Sequence, residues 1–298
     1  MIPPPYLRPG DIVGLVAPAR SISPVEVSTF TALVESWGYK VKKGTHLFDR
    51  QDQFAGSDED RASDIQEMLE SPEVRAIVCV RGGYGSVRTL QHIDFSPLEK
   101  DPKWFAGFSD ITVFHSYLNK FTGIESLHAP MPMTFDDESD PLNAEYLKKA
   151  LSGEMLKYRW ESHPLCVEGE VEGELVGGNL SVLYSLNGTV LFPDLRNKIL
   201  FIEEVDEYLY HIDRMMMNFS LSGVFNRIKA LVVGGFTKVQ DNPEPYGKRY
   251  YEIIHEITDH YDIPVCFDFP AGHQKKNRTL IFGRKMRLRV EEQECYLG

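Results

Sequence analysis

Hydrophobic residues follow two rhythms along this chain. The first is the short unbroken run, as in Asp11 to Pro18, Ala76 to Val80 and Trp104 to Phe108, which reads as a strand buried on both faces. The second is helical spacing. Val27, Phe30, Val34 and Trp37 recur every three or four positions behind Ser23-Pro24-Val25-Glu26, which offers an N-cap, a proline at the first helical position and an acid at the third. Gly38 ends that helix before a strand around Tyr39 to Val41. The same signals predict helices from about Asp58 to Glu70, with Ser57 as cap, and from about Asp110 to Phe121, then a short strand near Ser126 to Ala129. Alternating strands and helices indicate an α/β fold, a parallel sheet with helices on both faces. Ligands of such sheets sit beyond the carboxyl ends of the strands, so the loops after Val80 and Phe108 are the first places to look for chemistry.

The pattern weakens between about Phe135 and Gly169, where Asp136, Asp137, Glu138 and Asp140 and the polar stretch Glu161 to Pro164 place a linker near 155 to 170. Beyond it the reading is a strand Gly173 to Val176, a turn Gly177-Gly178-Asn179, a helix to about Leu186, a strand Lys198 to Glu203 and a Met-rich helix near Ile212 to Leu221. A strand Ala230 to Gly234, a helix near Tyr250 to His260, a strand Pro264 to Phe269 and short strands to the end complete a second, mixed unit without internal repeats.

With 298 residues, 42% hydrophobic and 26% charged, the composition is that of a globular protein and excludes disordered or collagen-like chains. Its net charge of −12 opposes a phosphate backbone, so no nucleic-acid partner is expected, and the basic runs Lys40 to Lys43 and Lys275 to Arg278 read as solvated surface. No window approaches 18 uninterrupted apolar residues, and no basic region with a long apolar stretch follows Met1. The expectation is no membrane partner, no signal peptide and a cytoplasmic location. Cys79, Cys166, Cys266 and Cys295 are scattered and read as reduced thiols, consistent with that compartment. Burial inside Ile77-Val78-Cys79-Val80 would suppress any reactivity of Cys79. There is no His-Glu-x-x-His and no close cysteine pair, so neither a metal nor another cofactor is expected.

Four segments carry candidate chemistry. In Gly107-Phe108-Ser109-Asp110 a serine stands where an apolar strand stops and an amphipathic segment begins, the position of a nucleophile elbow, although Ile111 replaces the second glycine of Gly-x-Ser-x-Gly and Ser109 could equally be an N-cap. Arg81-Gly82-Gly83-Tyr84-Gly85 follows a buried strand, and its glycines let backbone N–H groups approach an anion or oxyanion, or simply make a tight turn. The strand Ile199 to Ile202 runs into Glu203 and Glu204. Strand alternation points these two acids to opposite faces, and Glu203 is the better placed to orient a histidine. Last, His273 follows a strand through Pro270-Ala271-Gly272 and is suited to proton transfer near neutrality, while His115 and His128 fall within apolar elements and read as structural.

Together, Arg81-Gly82-Gly83-Tyr84-Gly85, Gly107-Phe108-Ser109-Asp110-Ile111-Thr112, Gly177-Gly178-Asn179-Leu180, Ile202-Glu203-Glu204-Val205-Asp206-Glu207 and Gly272-His273 resemble the LD-carboxypeptidase family of serine peptidases, over nearly the whole chain. The resemblance implies a flavodoxin-like N-terminal domain (1–157) bearing the nucleophile, a linker (158–169) and a mixed α+β C-terminal domain (170–298) bearing acid and base, usually in a homodimer. It implies a catalytic triad of Ser109, Glu203 and His273, and an oxyanion hole from the N–H groups of Gly83 and Asp110 with Gly82, Tyr84 and Arg81 beside the substrate. Glu204 stands where the family commonly has aspartate. The implied activity is hydrolysis of an L-to-D peptide bond, releasing D-alanine from a muropeptide stem during cell-wall recycling. Two other readings stay open: a microcin C-type aminoacyl-nucleotide amide hydrolase, and a non-catalytic muropeptide-binding module.

Overall fold

The computed structural model describes residues 1–136 and 139–298; Asp137 and Glu138, part of the acidic run noted above, lie outside the described residues. The apolar runs become β1 (Ile12–Val16), β2 (Lys40–Lys43), β3 (Val74–Cys79), β4 (Trp104–Gly107) and β5 (Ser126–His128). These are parallel neighbours in the order β2-β1-β3-β4-β5, which is the flavodoxin-like order. Helix α1 (Pro24–Ser36) starts at Ser23, whose N–H and hydroxyl both donate to the Glu26 carboxylate at 2.9 and 2.7 Å. Helix α2 (Asp58–Glu70) starts at Ser57, whose hydroxyl accepts from the Asp60 N–H at 3.0 Å. Alternation along the strands sends Val13, Leu15 and Val78 to the α1 side with Val27, Phe30 and Val34, and sends Val16, Ile77 and Cys79 to the α2 side with Ile65 and Met68. Both faces of the sheet are thereby covered.

After α3 (Ser86–Thr89) and β4, the expected helix 110–121 is not one regular helix. It opens as a 3-10 turn at Ser109–Ile111, becomes α4 (Thr112–Tyr117) and ends in a wide π turn at Leu118–Thr122, before Gly123 in the left-handed region. The left-handed backbone of Ser109 imposes the tight start. Helix α5 (Pro141–Ser152) falls where the sequence pattern weakens; Asp140 caps it by accepting from the Leu142 N–H at 2.9 Å, but with only Leu147, Ala150 and Leu151 as its buried hydrophobic positions its apolar stripe is thin.

The chain continues through β6 (Tyr158–Glu161), β7 (Gly169–Asn179), α6 (Leu180–Leu186), β8 (Ile199–Val205), α7 (Leu209–Leu221), β9 (Ala230–Thr237), α8 (Tyr250–Thr258), β10 (Val265–Cys266), β11 (Leu280–Phe282), β12 (Lys285–Val290) and β13 (Glu294–Leu297). A second sheet has the order β10-β9-β8-β7-β12-β13-β6, parallel as far as β7 and antiparallel beyond it. Residues 158–161, expected in the linker, are its edge strand. Gly177-Gly178-Asn179, expected as a turn, is the end of β7. A side chain at Gly177 would bring its Cβ within 1.9 Å of the Phe201 carbonyl oxygen, so glycine here serves close strand approach rather than a reversal. The expected strand 264–269 shrinks to β10, and Asp268 takes a left-handed conformation (φ 59°) that breaks the ladder.

β11 leaves the second sheet and pairs antiparallel with β5, extending the first. One apolar cluster accordingly runs from Val13 and Ala76 to Phe201, Val232 and Leu288, so the two sheets share a core. Among the described residues no helix is long and apolar enough to cross a membrane.

Candidate active site

β4 delivers its chain to Ser109 through the buried Phe108, and Ser109 then adopts φ 64°. For a residue with a side chain this region costs about 1–3 kcal/mol, and it persists only where surrounding contacts enforce it. The N-cap of the turn is Phe108, and among the described residues no capping hydrogen bond of Ser109 is present. The loop after β3 presses against it: a Cβ at Gly82 would lie 3.3 Å from Ser109 Cβ and 3.4 Å from both Ser109 Oγ and the Asp110 nitrogen. The Asp110 N–H, at the start of the helical run, has no acceptor within the helix. Its buried side chain accepts from the Ser86 N–H at 2.8 Å, tying the end of the glycine loop to the serine turn, and burial raises its pKa above the ordinary value.

The opposite wall is built on β8. Glu203 is wholly buried, and its Oε2 accepts from the His273 backbone N–H at 3.1 Å and from Nδ1 at 2.6 Å. With the Nδ1 proton committed to the carboxylate, Nε2 is left for other work. Burial works to raise the Glu203 pKa, but the charge of His273 and its hydrogen bonds outweigh it, and the carboxyl sits below its usual value. Burial works in turn to lower His273, yet Glu203 and, less strongly, Glu204 hold the imidazole above its usual value. Glu204 points the other way, as strand alternation requires. It accepts from Asn179 Nδ2 at 2.9 Å and from the N–H groups of Ser181 and Val205 at 2.7 and 2.9 Å; burial, then the neighbouring Glu203 charge, pushes it up to about 7.

The two walls meet at a cavity of about 450 Å³ whose lining includes Gly82, Gly83, Ser109 and Asp110 on one side and Asn179, Glu204 and His273 on the other. Phe108 lies between them, its ring centroid 4.7 Å from that of His273. Among the described residues no hydrogen bond joins Ser109 to His273. A second cavity of about 580 Å³, which includes Lys238 and Thr237, continues past His273 on the far side. A third cavity, about 620 Å³ beside Trp160 and His163, includes neither Ser109 nor His273.

Arg81 lines the serine cavity, but its guanidinium donates to the Ser21 carbonyl at 2.9 Å and lies 3.9 Å from Glu26. Tyr84 is about half exposed, with its ring 6.3 Å from that of Phe54, and does not line the cavity. Arg20 and Asn179 also line the serine cavity, although the sequence reading names neither as a candidate. Arg20 packs its side chain against Gly83, a contact across a loop that no local pattern announces, whereas Asn179 was signalled by the Gly-Gly-Asn segment. His115 is held by Ser126 Oγ at 2.8 Å and the Gly107 carbonyl at 2.9 Å, and burial lowers it to about 4. Among the described residues the group with metal-ligand spacing is His46, Asp49 and Asp60, none of which lines the serine cavity.

The sequence matches a model of the LD-carboxypeptidase N-terminal domain over residues 13–129 and one of the C-terminal domain over residues 172–288. It is 35% identical to a probable murein peptide carboxypeptidase of Bacillus subtilis (strain 168), covering 99% of this chain and 93% of that protein. It is 28% identical to the murein tetrapeptide carboxypeptidase of Pseudomonas aeruginosa, covering 91% of each. The fold superposes on muramoyltetrapeptide carboxypeptidase from Oxalobacter formigenes with a TM-score of 0.89 at 29% identity, over 96% of this chain and 97% of that one. It also superposes on the microcin C7 self immunity protein MccF in complex with aspartyl sulfamoyl adenosine, with a TM-score of 0.88 at 22% identity over 99% of this chain and 97% of that one.

Proposed function

Because the chain belongs to the LD-carboxypeptidase family and is a peptidase by that membership, we propose that it is a serine-type enzyme that hydrolyses an L-to-D peptide bond and releases the terminal D-alanine of a murein tetrapeptide. The observation that carries this reading is the 2.6 Å contact between Glu203 and His273 Nδ1, which leaves Nε2 for the cavity that a conformationally strained Ser109 also lines. Ser109 Oγ attacks the carbonyl carbon of the scissile bond while His273 Nε2 takes its proton. The carbonyl oxygen, now an anion, is received by the N–H groups of Gly83 and Asp110; one such donor is worth roughly 3 kcal/mol in comparable hydrolases. Collapse breaks the C–N bond. His273 returns the proton to the departing amine, and water then releases the acyl group from Ser109 by the same steps with His273 as base. Glu203 holds the imidazole in one tautomer and offsets its charge throughout.

In this reading the N-terminal unit (1–157) supplies nucleophile and oxyanion donors, and the C-terminal unit (170–298) supplies acid and base. A peptide is favoured over a nucleotide-linked amide because Phe108, the aromatic residue lining the serine cavity, packs on His273 rather than offering a free face for a base. Mass spectrometry of a muramyl tetrapeptide digest tests the assignment: loss of one alanine from the carboxyl end is expected. An unchanged tetrapeptide alongside cleavage of an aminoacyl sulfamoyl adenosine would overturn it.

A further inference from the structure

Behind the acid and base lies a set of buried polar atoms that the mechanism above does not use. Glu203 Oε2 is committed to His273, but Oε1 of the same carboxylate is buried without a hydrogen-bond partner among the described residues. So are both ring nitrogens of His128 and the hydroxyl of Thr279. Three neighbouring elements carry them. His128 closes β5, in register with Gly107 of β4 and Leu280 of β11, and Thr279 immediately precedes that Leu280. The His128 ring sits in an aromatic box, with centroids 5.0 Å from Phe201, 5.3 Å from Phe282 and 5.9 Å from Phe108. Phe201 lies two residues before Glu203 on β8, and Phe108 is the ring packed on His273.

A phenylalanine would fill such a box without the penalty of burying two ring nitrogens, so the imidazole needs a reason to be there. Burial lowers His128 to about 3, so it is neutral at ordinary pH and always carries one N–H donor. Among its charged neighbours Glu203 favours its protonated form, while His115 and His273 oppose it. The group that most lacks a donor is the second oxygen of an ionised, wholly buried carboxylate.

We propose that His128 is a positioning residue, its ring N–H holding the free oxygen of Glu203 through a single bridging water, so that the carboxylate stays ionised and aligned on His273. This rests on the triad reading given above. Removing the donor leaves the Glu203 charge less shared, which strengthens its pull on the His273 proton and raises the His273 pKa. The groups that act on His273 from the elements around it are Glu203 and Glu204 on β8, Lys238 after β9 and His128 on β5, with Asp136 and Lys275 lining the cavity beyond.

The test compares wild type with His128→Phe, which fits the aromatic box, and with His128→Asn, which restores an N–H. Imidazole ¹⁵N NMR of His273 needs no turnover. The expected result is a His273 pKa raised by half a unit or more in His128→Phe and largely restored in His128→Asn. On the tetrapeptide, kcat of His128→Phe should fall about tenfold or more with KM within twofold. An unchanged His273 titration and unchanged kcat in a folded His128→Phe would overturn the proposal. Should neither variant fold, the ¹⁵N signals of His128 in Glu203→Gln decide: a shift from wild type supports the link, and identity refutes it. Absence of alanine release by the wild type would sink the substrate assignment, yet the NMR comparisons would still decide the role of His128.

Discussion

On the serine side of the cleft the proposed catalytic groups come from one short turn and the loop pressed against it, and backbone conformation holds them: Ser109 at φ 64° with Gly82 tight beside it. On the histidine side the partners are 70 residues apart and are held by charge, through a buried carboxylate bonded twice to one histidine. The difference concerns how each wall fails. A strained turn stores energy that a substitution releases, so damage there should cost chemistry and not stability. A buried pair cannot lose one member cheaply, because the other is left charged or unpartnered. Damage there should touch both, and pH should reveal it.

The largest effect is expected from Ser109→Ala, which should lower kcat by about 10⁴-fold or more without lowering the melting temperature. Ser109→Gly should raise the melting temperature by about 2–4 °C, the equivalent of about 1 kcal/mol of relieved strain. A lower melting temperature for Ser109→Gly would show that the turn is not strained in the way its φ implies. Next comes Glu203→Gln, expected to cost about 10²–10⁴-fold in kcat by releasing the histidine tautomer. Melting curves against pH supply its sign. The folded pKa of Glu203 lies below its unfolded value, so its contribution is present above about 4.5 and fades as the pH falls through the folded value. The folded pKa of His273 lies above its unfolded value, so its contribution is complete below about 6.5 and fades as the pH rises through the folded value. The wild-type advantage over Glu203→Gln should therefore peak between those limits, and a flat difference from pH 4 to 8 would break the contrast between the walls.

Gly82→Ala is a milder probe of the first wall. Its methyl, 3.4 Å from Ser109 Oγ and the Asp110 nitrogen, should cost kcat about 10–100-fold by shifting the proposed nucleophile against its proposed oxyanion donors. The smallest effect belongs to Glu204→Gln, with less than tenfold change in maximal rate. Glu204 raises the His273 pKa, so removing its charge should move the acid limb of the kcat/KM profile to lower pH. A limb that stays in place would mean that the two acids of β8 do not communicate with the histidine together.

What the sequence revealed tracks the same divide. Ser109 and the glycine loop were legible because turn chemistry is local, and strand alternation was enough to separate Glu203 from Glu204. The fold class was equally legible, since buried parallel strands and capped helices announce themselves. Sheet membership was not: nothing in Leu280–Phe282 says that it pairs with β5 rather than with its neighbours in sequence. Helix α5 carried a good cap but too thin an apolar stripe to register as periodic. Arg20 and His128 escaped because their importance lies in what faces them, and that is fixed only by tertiary contact. His128 in fact read as a structural residue of a short apolar strand, and its burial among aromatic rings fits that description until the unpartnered oxygen of Glu203 is considered.

The return of β11 to the first sheet sets a timetable for biosynthesis. When β5 leaves the ribosome its outer edge has no partner, and the segment that covers it follows only after roughly half the chain more has been made. At about 5–20 residues per second that is a delay on the order of ten seconds, during which a nascent sheet exposes an unpaired border to other chains. Stalling translation or truncating the gene before residue 280 should therefore yield aggregation-prone fragments in place of a smaller working unit.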